Sequence, residues 1–68
     1  MPLAPHTAYR LGLVAQILTD AGPEGLSLRS LRLRSKLAAE LLDEVLRVAL
    51  LARYFRQEGT RYFANFAT

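Results

Sequence analysis

Arg53-Tyr54-Phe55-Arg56-Gln57-Glu58-Gly59-Thr60-Arg61-Tyr62-Phe63-Ala64 is the stretch on which the fold turns. Two runs that each contain Arg-Tyr-Phe flank a Glu-Gly pair, the sequence signal of a two-residue β-hairpin. With Glu58-Gly59 as the loop, Gln57 pairs with Thr60, Arg56 with Arg61, Phe55 with Tyr62 and Tyr54 with Phe63. A three-residue loop would instead slip the register by one and exchange the faces. Everything upstream has the spacing of helices. The expected fold is therefore α+β: three helices followed by a C-terminal two-stranded hairpin, with a very short third strand near Leu26.

Working back from the hairpin, the spacing predicts a helix from about Ala38 to Ala52. Leu41, Leu42, Val45, Leu46, Val48 and Ala49 share one face of it at 100° per residue. Ser27 is a good cap for a shorter helix from Leu28 to about Lys36, with Leu28 and Leu31 facing inward. A break between the two, near Ser35 to Ala38, follows from the change of phase. Thr7 caps the expected first helix, whose apolar stripe is Leu11, Val14, Leu18 and Ala21 with Leu13 and Ile17 alongside. Gly22-Pro23 stops it, Gly where a left-handed cap belongs and Pro just beyond. Residues 1–6, with two prolines and no periodicity, read as a loose lead-in, and residues 7–68 as a single domain.

Composition narrows the function classes. A 68-residue chain buries only about 60% of its unfolded surface, so it needs a dense core. Its 51% hydrophobic content provides one. The mean hydropathy of +0.12 suggests that some apolar surface meets a partner or a second copy. No apolar run reaches the roughly 20 residues of a membrane span, and no signal-peptide pattern opens the chain. The expectation is a cytoplasmic protein, and the Leu, Ala and Arg bias is that of a GC-rich genome. Nine basic side chains oppose six acidic ones, a net charge of +3 that is compatible with nucleic acid. Without cysteine the chain has neither disulfides nor a thiolate site. No nucleophile–base pair, glycine-rich phosphate loop or metal-ligand spacing is present, and His6, the single histidine, has no carboxylate near it in sequence. Neither catalysis, a cofactor, a bound metal nor a small-molecule substrate is expected.

From Ser27 to Leu42 the chain reads Ser-Leu-Arg-Ser-Leu-Arg-Leu-Arg-Ser-Lys-Leu-Ala-Ala-Glu-Leu-Leu. This resembles the helix-turn-helix of bacterial winged-helix proteins, with Ile17 to Ala21 like the end of their first helix and Arg53 to Ala64 like their wing. The resemblance runs from Ile17 to Ala64 and identifies a superfamily. It implies a DNA-binding module in which the helix after the turn enters the major groove and the wing touches phosphates or the minor groove. Two positions depart from the pattern. Arg32 and Lys36 stand where the superfamily usually has a small residue and, four residues on, a turn glycine.

Two sets of side chains carry the functional expectation. Arg29, Arg32 and Lys36 share a helix face with Arg34 to one side, a phosphate-anchoring stripe that carries no acid. Arg53, Arg56 and Arg61 make the hairpin basic, and Arg56 opposite Arg61 is a like-charge pair that a polyanion between them would relieve. The alternative is a solvated strand edge guarded by arginines. The outer face of the third helix carries Glu40, Asp43, Glu44 and Arg47, with Leu51 beyond. Acids there oppose groove entry. They have two other readings: helix-dipole and i, i+4 stabilisation with Arg47, or docking on a protein partner through these residues and Leu50–Leu51. Binding of double-stranded DNA, with dimerisation to enlarge the footprint, thus stands beside a protein-interaction module. The position of the acidic stripe discriminates. Beside the basic patch it favours a protein partner; turned away from it, DNA.

Overall fold

The computed structural model describes residues 5–65. Residues 1–4 of the expected 1–6 lead-in and the final residues 66–68 lie outside them, whereas Pro5 and His6 of that lead-in belong to the first helix. Helix α1 (Pro5–Ala21) is followed by a 3-10 turn at Gly22–Glu24, strand β1 (Leu26–Ser27), helices α2 (Leu28–Ser35) and α3 (Ala39–Leu51), and strands β2 (Phe55–Glu58) and β3 (Arg61–Ala64). The class is α+β, and the hairpin is C-terminal. All three strands form one antiparallel sheet in the order β1-β3-β2.

Each boundary has a local cause. Helix α1 opens on Pro5, ahead of the expected cap at Thr7, since a first-turn proline gives up only an amide that would have no helical partner. Thr7 is buried within the helix, and His6 is an exposed helical residue. Tyr9, a candidate core-edge aromatic by sequence, is 74% exposed. The stop occurs as expected, with Gly22 at φ +73°. Ser27 caps α2, its hydroxyl accepting from the Ser30 amide at 3.2 Å. Helix α2 ends on Lys36 at φ +59°, whose amide donates to the Arg32 carbonyl at 3.0 Å, the single-bond left-handed termination. Helix α3 closes with Arg53 at φ +63°. The Tyr54 amide reaches back to the Ala49 carbonyl, and the Arg53 amide to that of Leu50, the Schellman pattern. In both helix ends a long cation occupies the conformation that glycine adopts at least cost.

The core consists of Val14, Leu18, Leu26, Leu31, Leu42, Val45, Leu46, Ala49 and Phe55. Six of these, Phe55, Leu18, Leu31, Leu42, Val14 and Val45, are almost wholly buried, each contributing about 1.5–3 kcal/mol of transfer free energy. Helix α3 supplies the densest face, as its spacing predicts. Leu28 departs from expectation. It starts α2 and is 45% exposed because it sits at the edge of the stripe set by Leu31 and Ser35.

The hairpin register is the main correction. Glu58 pairs with Arg61, Gln57 with Tyr62, Arg56 with Phe63 and Phe55 with Ala64, so the loop is Gly59-Thr60. Gly59 has φ +63° and Thr60 does not share it. That is the signature of a type II′ turn, which needs glycine at the first central position. The loop moves one residue along the chain and the pairing shifts by two, so the faces are retained while every cross-strand partner changes.

Candidate functional site

The seven cations expected to form one site divide between two surfaces. Alternation along the sheet puts Phe55, Gln57, Tyr62 and Ala64 on one face and Arg56, Glu58, Arg61 and Phe63 on the other. Tyr62 belongs to the face that meets α2 and α3. It lines a cleft with Leu28, Arg32, Ala39, Leu42, Asp43 and Leu46. Arg56 and Phe63 line a different cleft, against Leu18, Thr19, Gly22 and Pro23 at the end of α1. Arg56 and Arg61 thus lie on the sheet face opposite Tyr62, away from the cleft that Arg32 lines.

On the hairpin the arginines are engaged. Arg56 and Arg61 are not directly opposed as expected. Arg56 faces Phe63, with its guanidinium 4.6 Å from the ring centre, and its Nε donates to Glu58 at 2.6 Å. Arg61 faces Glu58 and donates to the carbonyls of Glu24 and Gly25 at 3.2 and 3.3 Å. The repulsion that a polyanion would have relieved is absent. Gly25, at φ +68°, lets this seat form: a Cβ there would lie 2.6 Å from both the Phe63 ring and the Tyr62 carbonyl oxygen. Arg53 is exposed and serves α3 as its left-handed terminator, its carbonyl accepting from the Asn65 side-chain amide at 3.1 Å.

Helix α2 is the reverse. Arg29, Arg32, Arg34 and Lys36 are all exposed, and none makes an ion pair among the described residues. Arg32 and Lys36 point outward, so the two departures from the superfamily pattern leave the packing of α2 undisturbed. Arg29, Arg32 and Lys36 line a groove with Leu28, Leu33 and Leu37. Leu33 is 69% exposed and was not among the sequence candidates. The signal was available: two residues beyond Leu31 is 200° round the helix, opposite the buried stripe. Arg34 falls on the other side of α2.

The outer face of α3 holds Glu40, Asp43, Glu44, Arg47 and Leu51, all exposed. Asp43 pairs with Arg47 at 2.7 Å, the i, i+4 pairing expected. Glu40 and Glu44 make none among the described residues. Leu51, at 80% exposure, stands clear of the core, while Leu50 is partly buried against it. Asp43 and Arg32 line one cleft, so the acidic stripe meets the basic one at Asp43. Exposed cations and two exposed leucines, Leu28 and Leu33, thus share the α2 side of the molecule, with Asp43 of α3 at its edge. Such a surface can bind a complementary surface by charge and apolar contact. No helix among the described residues is long and apolar enough to cross a membrane. No protein family, curated protein or solved structure matches this chain.

Proposed function

We propose that the chain is a winged-helix module whose α2–α3 face docks onto another protein. The assignment is supported by the element order α1-β1-α2-α3-β2-β3 and the sheet order β1-β3-β2, with α2, a tight turn and α3 as the helix-turn-helix and β2–β3 as the wing. The observation that carries the docking reading is the cleft shared by Arg32, Asp43 and Leu28, next to the α2 groove that holds Leu33. A nucleic acid gains from Arg29, Arg32 and Lys36 but meets repulsion from Glu40 and Glu44 on the helix that should enter the groove. It has no use for leucines that a protein partner would bury. A bacterial cytoplasmic setting belongs to the same proposal, bacterial from the winged-helix resemblance and cytoplasmic from the composition.

Double-stranded DNA is the second reading, favoured by one observation: α2 carries Arg29, Arg32 and Arg34 followed by Lys36, with no acid and no ion pair among the described residues. Anchoring would then come from α2, with Arg53 as a cation near the wing that makes no ion pair among the described residues. Two measurements separate the readings. Immobilised full chain should retain a protein partner, and Leu33→Asp with Leu51→Asp should abolish retention while leaving the thermal melt unchanged. Fluorescence anisotropy against a random-sequence duplex should show no binding at low salt. Duplex binding whose log–log salt slope falls by about 2 in Arg29→Gln with Arg32→Gln would replace docking with DNA.

A further inference from the structure

We infer that the groove along α2 takes an acidic amphipathic helix of a partner protein, one that carries a row of carboxylates with apolar side chains on both sides of it. The inference rests on the docking reading above and names the chemistry of the partner. The groove, about 740 Å³ in volume, is lined by Leu28, Arg29, Arg32, Leu33, Lys36 and Leu37. Cations and leucines meet there in equal number, and no acid lines it.

Position round α2 decides the form of the occupant. At about 100° per residue, Arg32 and Arg29 fall about 40° and 100° round the helix from Leu28, and Leu33 about 140° round. The guanidinium row therefore runs between two leucines instead of beside a joined apolar face. Leu28 and Leu33 are 45% and 69% exposed, and Leu37, in the turn beyond α2, lines the same groove. Arg29, Arg32 and Lys36 have no ion pair among the described residues. Asp43 shares the neighbouring cleft with Arg32, but its charge is met by Arg47 at 2.7 Å.

Each class of anionic partner meets this pattern differently. A bilayer surface favours a joined apolar face with cations on the opposite one, which a cation row between leucines does not offer. Duplex DNA brings phosphates to the row and gives the leucines little apolar cover. A helix satisfies both. Carboxylates at i, i+4, i+7 and i+11 stay within about 60° of one face and rise about 4.5–6 Å per step, the pitch at which Arg29 and Arg32 follow each other along α2. Leucines at i+1, i+3, i+8 and i+10 of the same helix flank those acids on both sides and cover Leu28 and Leu33. This is recognition of a helix by a groove. Helix α2 is 8 residues long, about 12 Å, so the contact belongs to the weak, transient class of interfaces.

The probe is a synthetic peptide of about 16 residues with Glu and Leu at those positions and Ala or Gln elsewhere, held helical by a hydrocarbon staple on its outer face. Fluorescence anisotropy of the labelled peptide with the full chain at physiological salt should give a Kd on the order of 10–100 μM, as a small interface allows. Glu→Gln throughout the peptide should weaken binding at least about tenfold, and so should Leu33→Asp in the chain. Arg29→Glu with Arg32→Glu should abolish binding of the acidic peptide and transfer it to a peptide with Lys in place of each Glu, a rescue that an unfolded variant cannot give. A permuted peptide, its acids scattered round the helix, should bind at least about tenfold more weakly than the original. No binding of the stapled peptide to wild type, equal binding of the permuted one, or failure of the charge exchange would overturn the inference. Tighter binding of a random-sequence duplex than of the peptide would overturn it in favour of DNA. Cosedimentation with vesicles of about 25% phosphatidylserine, lost in Arg29→Glu with Arg32→Glu, would overturn it in favour of a lipid surface. If the peptide fails while the full chain still retains a protein that Leu33→Asp with Leu51→Asp releases, the docking reading stands and the acidic helix alone is lost. Loss of that retention as well would remove both.

Discussion

Helix α2 and the C-terminal hairpin are the two basic regions of this molecule, and they use arginine in opposite ways. On the hairpin Arg56 lies over Phe63 and against Glu58, while Arg61 clips the sheet to the Glu24–Gly25 turn. On α2 Arg29, Arg32 and Arg34 touch no acid among the described residues and reach into solvent around Leu33. In sequence each region carries three arginines, the hairpin with Glu58 among them. What separates them is whether each guanidinium is already occupied by the fold, and only unoccupied ones can be spent on a partner. The basic hairpin is therefore a structural clasp, and under the proposed docking reading recognition falls to the cations of α2.

The clasp can be broken most severely at Gly25. A Cβ at this position meets the Tyr62 carbonyl and the Phe63 ring at 2.6 Å, and the backbone is held at φ +68°. Gly25→Ala should cost about 3 kcal/mol, combining overpacking with a left-handed conformation that alanine resists. For a chain of this size that is a large part of the total stability. Urea unfolding should show it, and hydrogen exchange should show β1 and β3 losing protection before α1 and α3 do. A cost below about 1 kcal/mol would mean that the sheet and the turn separate easily, and the contrast between clasp and α2 would fall.

A smaller effect of opposite sign is expected at the other end of the comparison. Lys36 holds a left-handed conformation at φ +59° and makes no ion pair among the described residues. Lys36→Gly should therefore raise stability by about 0.5–1 kcal/mol, the relief of the left-handed penalty less the entropy glycine adds to the unfolded chain. Arg53→Gly should behave similarly, because Arg53 terminates α3 in the same conformation at φ +63°. Thermal melts read both. A loss of stability at Lys36 would reveal a structural duty for that cation and weaken the view that α2 keeps its charges for a partner.

Much of this arrangement is legible before any coordinates. The Ser27 cap, the Gly22 stop, the buried stripe of α3 and the existence of a terminal hairpin all follow from local chemistry, and each occurs where local chemistry puts it. The register does not follow. Glu58-Gly59 and Gly59-Thr60 are both acceptable loops, and the choice depends on whether glycine serves the first or the second central position. That choice decides the site, because it removes Arg56 from opposition to Arg61. The partners of Arg61 lie 36 and 37 residues away in sequence, so no local pattern shows that this arginine is engaged. Leu33 was legible from its phase relative to Leu31. The basic and acidic stripes were legible too, whereas their adjacency across the Arg32–Asp43 cleft depends on how α2 packs against α3.

The finest division is drawn by one conservative substitution made in both regions. Arg61→Gln shortens the side chain and removes the charged donor that bridges two main-chain carbonyls, with an expected cost of about 1 kcal/mol. Arg29→Gln removes an exposed guanidinium with no partner among the described residues, and its effect should stay within about 0.5 kcal/mol of zero. Chemical denaturation at constant salt resolves a difference of this size when the two variants share an m-value. The binding readout should reverse the order: Arg29→Gln weakens association with a partner, and Arg61→Gln leaves it unchanged once the protein is folded. Equal stability costs at the two positions would erase the division. So would an association that depends on Arg61 and ignores Arg29, for then the occupied guanidinium, rather than the free one, would be the one the partner reads.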